Sequence, residues 1–205
     1  MSFHSMPVRR AVFPVLAALA LLGPRPGTAQ SADAANSAAL SATEISRVQV
    51  GALAPDFTLS AFGGGSRTLS SYRGKQHVVL VFYRGHWCPW CMQQLKALKT
   101  LLDPELRKDT ELLVVAPEGN DEALLTINKI APGEGPPDFT FLFDPALTVI
   151  DRYGLRNPAG GRRPVPHPAT FVIDKQGIVR WRQVDTDYKV RPTNPAILAA
   201  VRAAR

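Results

Sequence analysis

Val78-Val79-Leu80-Val81-Phe82-Tyr83-Arg84-Gly85-His86-Trp87-Cys88-Pro89-Trp90-Cys91 is the stretch whose reading decides the fold. Val78 to Tyr83 is a continuous apolar run of β-branched and aromatic residues. Its length and continuity predict a strand buried on both faces. Pro89, directly after Cys88, suits the first turn of a helix, where a backbone N–H has no partner to lose. Leu95, Leu98 and Leu102 then recur at helical spacing, with Lys96 and Lys99 on another face, so a helix is expected from Cys91 to Leu102. A buried strand thus runs into a helix, and two cysteines stand at the junction.

The same alternation continues outward. Phe57-Thr58-Leu59 and Thr68-Leu69 predict short strands around Gly63-Gly64-Gly65. Leu112 to Ala116 predicts a second buried strand, and Asp121 to Ile130 a helix opened by a capping aspartate. Pro132 to Pro137 is expected to be a loop, Phe139 to Phe143 a short apolar strand, and Pro145 to Tyr153 a helix stopped by Gly154. Asn157 to Pro168, dense in Pro, Gly and Arg, is expected to be a loop. Thr170 to Asp174 and Ile178 to Gln183 predict a hairpin across Lys175-Gln176-Gly177, and Pro195 to Ala204 a closing helix. The plan is α/β, with a central mixed sheet flanked by helices.

Ahead of this domain the chain changes character. Arg9-Arg10, the apolar run Val12 to Leu22 and the small residues Gly27-Thr28-Ala29 read as an export signal over residues 1–29, cleaved after Ala29. An uncleaved anchor is the alternative, although the apolar run is short for a membrane span. Residues 30–47, rich in Ala and Ser, read as a flexible linker, and residues 48–205 as the folded domain. The localisation expected is secreted, periplasmic. The formal charge of +7 falls to +4 without Arg9, Arg10 and Arg25. The remaining basic pairs, Arg162-Arg163 and Arg180/Arg182, form no stripe, so nucleic-acid binding is not indicated. Nothing in the sequence specifies an oligomeric state.

The chain has 2 cysteines, and a bridge across so short a loop would stabilise little. Reactivity explains them better. Zinc normally takes four ligands, and no second cysteine pair is present; His77, His86 and His167 match no zinc spacing. No metal and no cofactor is therefore expected. At a helix N-terminus the unpaired N–H groups and the dipole favour a thiolate. Helix geometry leaves Cys88 exposed and Cys91 one turn behind, able to attack a mixed disulfide or sulfenic acid formed on the first cysteine. Asp185, Asp187 and Tyr188 could bring a carboxylate near the site, or form a polar turn. His86 could tune Cys88 or face solvent. Trp87 and Trp90 are expected to shield the pair, with core packing an equal account of Trp87.

The segment Val81 to Cys91 resembles the active-site segment of the thioredoxin superfamily. It is most similar to the alkyl hydroperoxide reductase/thiol-specific antioxidant (peroxiredoxin-like) family, in the branch with Tyr-Arg-Gly followed by Trp-Cys-Pro-x-Cys. The resemblance extends through Gly51 to Phe57, Phe143-Asp144-Pro145, Tyr153-Gly154, Pro166 to Asp174 and Val184 to Tyr188. It implies a thioredoxin-like fold, a redox-active Cys88–Cys91 disulfide and a cis Pro168 against the cysteine pair. It also exposes a departure. Arg84 stands where the family's proline is expected, Cys88 at its threonine, Cys91 at its peroxidatic cysteine, and Pro168 in place of its later arginine. Arg84 is a substitute by charge. Exposure favours Cys88 as the first nucleophile, and the family pattern favours Cys91.

Three functions follow as expectations. The first is a thiol peroxidase acting on hydrogen peroxide or organic hydroperoxides through Cys88 and Cys91, with Arg84, Trp87 and Pro168 in support and a thioredoxin-like electron donor. The second is a periplasmic thiol-disulfide reductase acting on protein disulfides. The third, a binding module that kept the fold, is opposed by the intact cysteine pair.

Overall fold

A computed structural model of the chain describes residues 1, 2, 43–161 and 163–205. The export signal and most of the linker lie outside the described residues. Thr43 pairs with Leu155 in an isolated bridge, and Glu44 N donates to Gly154 O at 2.8 Å. The last residues of the expected linker are thereby tied to the domain.

The elements, in chain order, are β1 (Thr58–Ala61), β2 (Ser66–Thr68), a 3-10 turn (Leu69–Tyr72), β3 (His77–Phe82), α1 (Pro89–Leu98), α2 (Pro104–Arg107), β4 (Thr110–Ala116), α3 (Asn120–Ile130), β5 (Thr140–Phe143), α4 (Thr148–Arg152), β6 (Arg156–Asn157), β7 (Val165–Pro166), β8 (Ala169–Ile173), β9 (Val179–Val184) and α5 (Asn194–Ala203). The main sheet runs β2-β1-β5-β4-β3-β8-β9. Strands β3, β4 and β5 are parallel, and β1, β8 and β9 each pair antiparallel with a neighbour. This is the mixed α/β sheet expected.

The uninterrupted apolarity of β3 has a simple cause. Successive side chains alternate faces, and both faces are covered. Val79, Val81 and Tyr83 pack with Leu95 and Leu98 of α1, Ile127 of α3 and Ile197 of α5. Val78, Leu80 and Phe82 pack on the other side with Ile150 of α4, Tyr153 and Phe171. With β4 on one edge and β8 on the other, β3 is central, and the residues that follow it leave from the carboxyl end of the parallel strands. Ligand sites form there in open α/β sheets.

Several boundaries differ from expectation. The helix after the cysteines ends at Leu98 rather than Leu102, and Leu101 and Leu102 enter the core from a turn. Asp103 then caps α2, accepting from Glu105 N at 3.0 Å and Leu106 N at 2.8 Å, with Pro104 in its first turn. A residue before proline is driven out of helical geometry. Helix α3 is capped at Gly119 instead of Asp121, and Glu122 reaches back to Gly119 N at 3.1 Å. The Asn157–Pro168 loop contains half of a small ladder, because β6 pairs with β7.

Pro168 is a correction. All peptide bonds of the described residues are trans, so the cis bond implied by the family resemblance is absent. His167 N donates to Leu155 O at 2.7 Å and Pro168 O accepts from Asp185 N at 3.2 Å. The chain thus passes from β7 into β8 in extended form, held on both sides of the proline.

Asp144 illustrates how a motif residue holds the frame. Its carboxylate accepts from Thr148 N, Val149 N and Ile150 N at 2.8, 2.9 and 2.8 Å, which seats the first turn of α4. The residue is almost fully buried. Replacing it with alanine leaves these N–H groups without acceptors, each at a desolvation cost. Asp144→Ala is expected to lower stability by about 1–3 kcal/mol, read as a shift of the urea midpoint at unchanged slope.

Candidate functional site

Strand β3 ends at Phe82, paired with Ala169 of β8, and the chain turns toward α1 through Arg84-Gly85-His86-Trp87. Cys88 N donates to Gly85 O at 3.1 Å, which closes that turn. Gly85 has φ 147° and could carry no side chain, since a Cβ would stand 2.6 Å from both Glu118 Oε1 and Trp87 Nε1. Cys88 is the N-cap of α1. Its Sγ accepts from Cys91 N at 3.4 Å, in the position a capping oxygen usually takes. Cys91, one turn on, faces the core beside Tyr83 and Leu95.

Both thiols are free, and both residues are completely enclosed. The exposure expected for Cys88 is thus overturned. Arg191, from the segment between β9 and α5, is set against both sulfurs. Its Nη2 lies 3.3 Å from Cys91 Sγ and 4.0 Å from Cys88 Sγ. Arg191 lies 100 residues after Cys91 in sequence, with no motif around it, and no sequence signal marks it.

Arg84 is brought to the same place. Its Nη2 donates to Gly160 O at 2.6 Å, and its guanidinium lies between two rings, 5.0 Å from the centroid of Trp87 and 4.5 Å from that of Tyr188. Neither Arg84 nor Arg191 has a carboxylate partner among the described residues, and the Nε of each is buried without an acceptor. Trp87 and Trp90 are partly exposed at the rim, so Trp87 belongs to the site surface and not to the core.

These contacts separate the two thiols. Hydrogen bonding from the Cys91 thiol brings the Cys88 thiol down to about 6, helped by the Cys91 backbone N–H and by the charges of Arg191 and Arg84, against the opposing effect of burial. Burial pushes Cys91 well above the ordinary thiol range, and its hydrogen bond to Cys88 adds to this. Cys88 is the ionised partner and Cys91 the proton-bearing one.

Other expected residues take different places. His86 turns to Glu118, with Nδ1 2.8 Å from Oε1. Glu118 is buried, and it also accepts from His86 N at 3.1 Å and Tyr83 OH at 3.3 Å. Its position after β4, at the same sheet end as the cysteines, was the available signal for it. A cavity of about 570 Å³ opens beside it, lined by His86, Trp87, Glu118, Gly161 and Arg163. Asp185 and Asp187 form a polar turn: Asp185 Oδ1 accepts from Asp187 N and Asp187 Oδ1 from Lys189 N, both at 2.9 Å. Pro168 follows His167, whose basicity is lowered by burial and by the charge of Arg84.

Comparison with known proteins identifies the family. The AhpC/TSA family model matches residues 50–182. Alkyl hydroperoxide reductase E of Mycobacterium tuberculosis is 32% identical over 146 residues, covering 70% of this chain and 90% of the relative. Thiol-disulfide oxidoreductase ResA of Geobacillus thermodenitrificans is 33% identical over 138 residues, 67% of this chain and 71% of the relative. Among solved structures, the reduced 2-Cys peroxiredoxin of Plasmodium vivax superposes with a TM-score of 0.63 at 26% identity, over 75% of this chain and 94% of that one.

Thiolate alkylation rises with the ionised fraction, so the rate at Cys88 is expected to climb through a midpoint near 6 and level off above pH 7. Arg191→Gln removes one stabilising charge and moves that midpoint upward, as measured by iodoacetamide trapping across a pH series.

Proposed function

Because the chain belongs to the AhpC/TSA family, we propose that it is a thiol peroxidase in which Cys88 is the nucleophile and Cys91 the resolving thiol. The Cys88 thiolate attacks the terminal oxygen of hydrogen peroxide or an organic hydroperoxide. The O–O bond breaks, the departing oxygen takes a proton and leaves as water or alcohol, and Cys88 becomes a sulfenic acid. The Cys91 thiol then displaces water from that sulfenic acid, forming the Cys88–Cys91 disulfide. A thioredoxin-like dithiol donor returns both cysteines to the reduced state. The supporting roles fall to Arg84, which adds positive charge beside Cys88, to Trp87, which holds that guanidinium, and to Pro168, which continues the wall between β7 and β8. We further propose that the protein is exported by its N-terminal signal and works in the periplasm.

The observation that carries this reading is the asymmetry of the two thiols under two guanidiniums that, among the described residues, no carboxylate pairs with. Ionisation alone would not suffice. A thiol at about 6 rather than about 8.5 gains roughly thirtyfold in thiolate at pH 7, but its lower basicity costs roughly tenfold in nucleophilicity. The net is about threefold over free cysteine. A larger acceleration has to come from donors that stabilise the developing charge on the departing oxygen, and the guanidiniums of Arg191 and Arg84, whose charges already act on Cys88, are the groups assigned to it.

The second reading, exchange with protein disulfides, is favoured by the similarity to ResA. Stopped-flow oxidation of the reduced protein separates the two. The expected second-order rate constant with peroxide exceeds that of free cysteine by far more than the about threefold that ionisation supplies. A value within threefold, together with fast reduction of an oxidised protein substrate, replaces the first reading by the second. Cys88→Ser is expected to abolish oxidation, and Cys91→Ser to stop at a sulfenic acid that a dimedone probe captures.

A further inference from the structure

Cys88 has to meet its substrate, yet it has no exposed surface. The segment 186–192 between β9 and α5 brings Arg191 to its sulfur; the segment is neither helix nor strand, and its residues 186–190 face solvent. The segment is anchored at both ends. Asp185 N donates to Pro168 O at 3.2 Å, and Asn194 Nδ2 donates to Ala97 O at 2.7 Å. Between these anchors its hydrogen bonds are mostly internal: Lys189 N to Asp187 Oδ1, Val190 N to Asp187 O, and Arg191 Nη1 to Tyr188 O and Val190 O. Among the described residues, two polar or ring contacts reach across to the body of the domain. One is the Tyr188 ring on the Arg84 guanidinium at 4.5 Å, and the other is Arg191 Nη2 on the two sulfurs.

We propose that Tyr188 and Arg191 determine specificity by size and by redox state: they hold segment 186–192 closed over the reduced thiols, so that a small peroxide reaches Cys88 and a protein disulfide does not, and they release it once the thiols have become a disulfide. The proposal rests on the peroxidase reading and names what that site admits. The latch is the redox centre itself. In the reduced state the Arg191 guanidinium, hydrogen-bonded to the neutral Cys91 thiol at 3.3 Å, stands 4.0 Å from the anionic Cys88 sulfur and is drawn to it by charge. Oxidation takes two electrons from the sulfur pair to the peroxide. Cys91 gives up its proton, and the disulfide that forms carries no charge. Arg191 then faces two weak, neutral acceptors, and the charge attraction that held it is gone. Opening it would uncover the disulfide between Trp87, Trp90 and Tyr188, all of them already partly exposed, where a dithiol protein could dock.

Two measurements test this. Trypsin digestion of the intact protein reads the segment directly, because Lys189 precedes Val190 within it. Cleavage there is expected to be slow in the reduced protein and fast after oxidation with diamide. The reduced Arg191→Gln variant should be cleaved like the oxidised wild type. Equal cleavage in both redox states of the wild type overturns the proposal. Diamide forms the disulfide without a peroxide, so a protein that failed as a peroxidase would still answer this test. Accessibility supplies the second measurement. Reduced protein is treated with iodoacetamide or with a maleimide carrying a polyethylene glycol chain. Tyr188→Ala is expected to speed the bulky reagent roughly tenfold relative to the small one, the factor for losing one partly desolvated cation–π contact. Tyr188→Phe, which keeps the ring, should stay slow. Equal acceleration of both reagents, or of neither, counts against the cover.

Discussion

A buried thiolate is the constraint around which this site is built. Enclosing an anion costs free energy unless donors replace the water it loses, and Cys88 Sγ collects them from three directions. The Cys91 residue supplies its thiol and its backbone N–H from the first turn of α1, Arg191 reaches in from the far end of the chain, and Arg84 adds its charge from the turn before. Each donor has to be held still to be worth its placement. Arg84 is fixed by the Gly160 carbonyl and by rings on both sides. Strand β3, buried on both faces, fixes the point from which the whole turn departs.

A buried carboxylate nearby would undo this arrangement if it faced the sulfur. It does not, because Glu118 is fully occupied by His86 Nδ1, His86 N and Tyr83 OH. Gly85 makes that possible, since any Cβ there would strike Glu118 Oε1. The negative charge is thereby confined to the His86 side of the turn, and the Cys88 side is left to the guanidiniums. A turn of four residues thus sorts charge of opposite sign to opposite sides.

What the sequence made legible follows the range of the interactions. The apolar run of β3, the proline after Cys88 and the leucine spacing of α1 are local, and they placed the cysteines at a strand–helix junction. Residues that act through distant contacts were not legible. Arg191 has no neighbouring pattern, and only the return of the chain from β9 past the end of β3 puts it on the sulfurs. The enclosure of Cys88 was missed for the same reason, because helix geometry describes α1 and says nothing of what crosses above it. The trans bond at Pro168 shows the converse error. A resemblance carried over a local geometry, while the hydrogen bonds of His167 N and Pro168 O, made with Leu155 and Asp185, hold the segment extended.

Peroxide reduction and disulfide exchange draw on the same two thiols, so the cysteine motif by itself does not choose between them. The choice lies in what surrounds the sulfur. A protein disulfide needs an open edge and an approach path several residues wide, whereas a hydroperoxide needs a small space and donors for the oxygen that departs. Here the sulfur is covered, and the donors at the cover, the Nε atoms of Arg84 and Arg191, are buried and unpaired. The arginine that the family pattern places on a later strand is absent from this sequence. Its charge is present all the same, delivered from the segment that also closes the site, so that in this chain the group facing the thiolate and the group controlling access to it are one side chain.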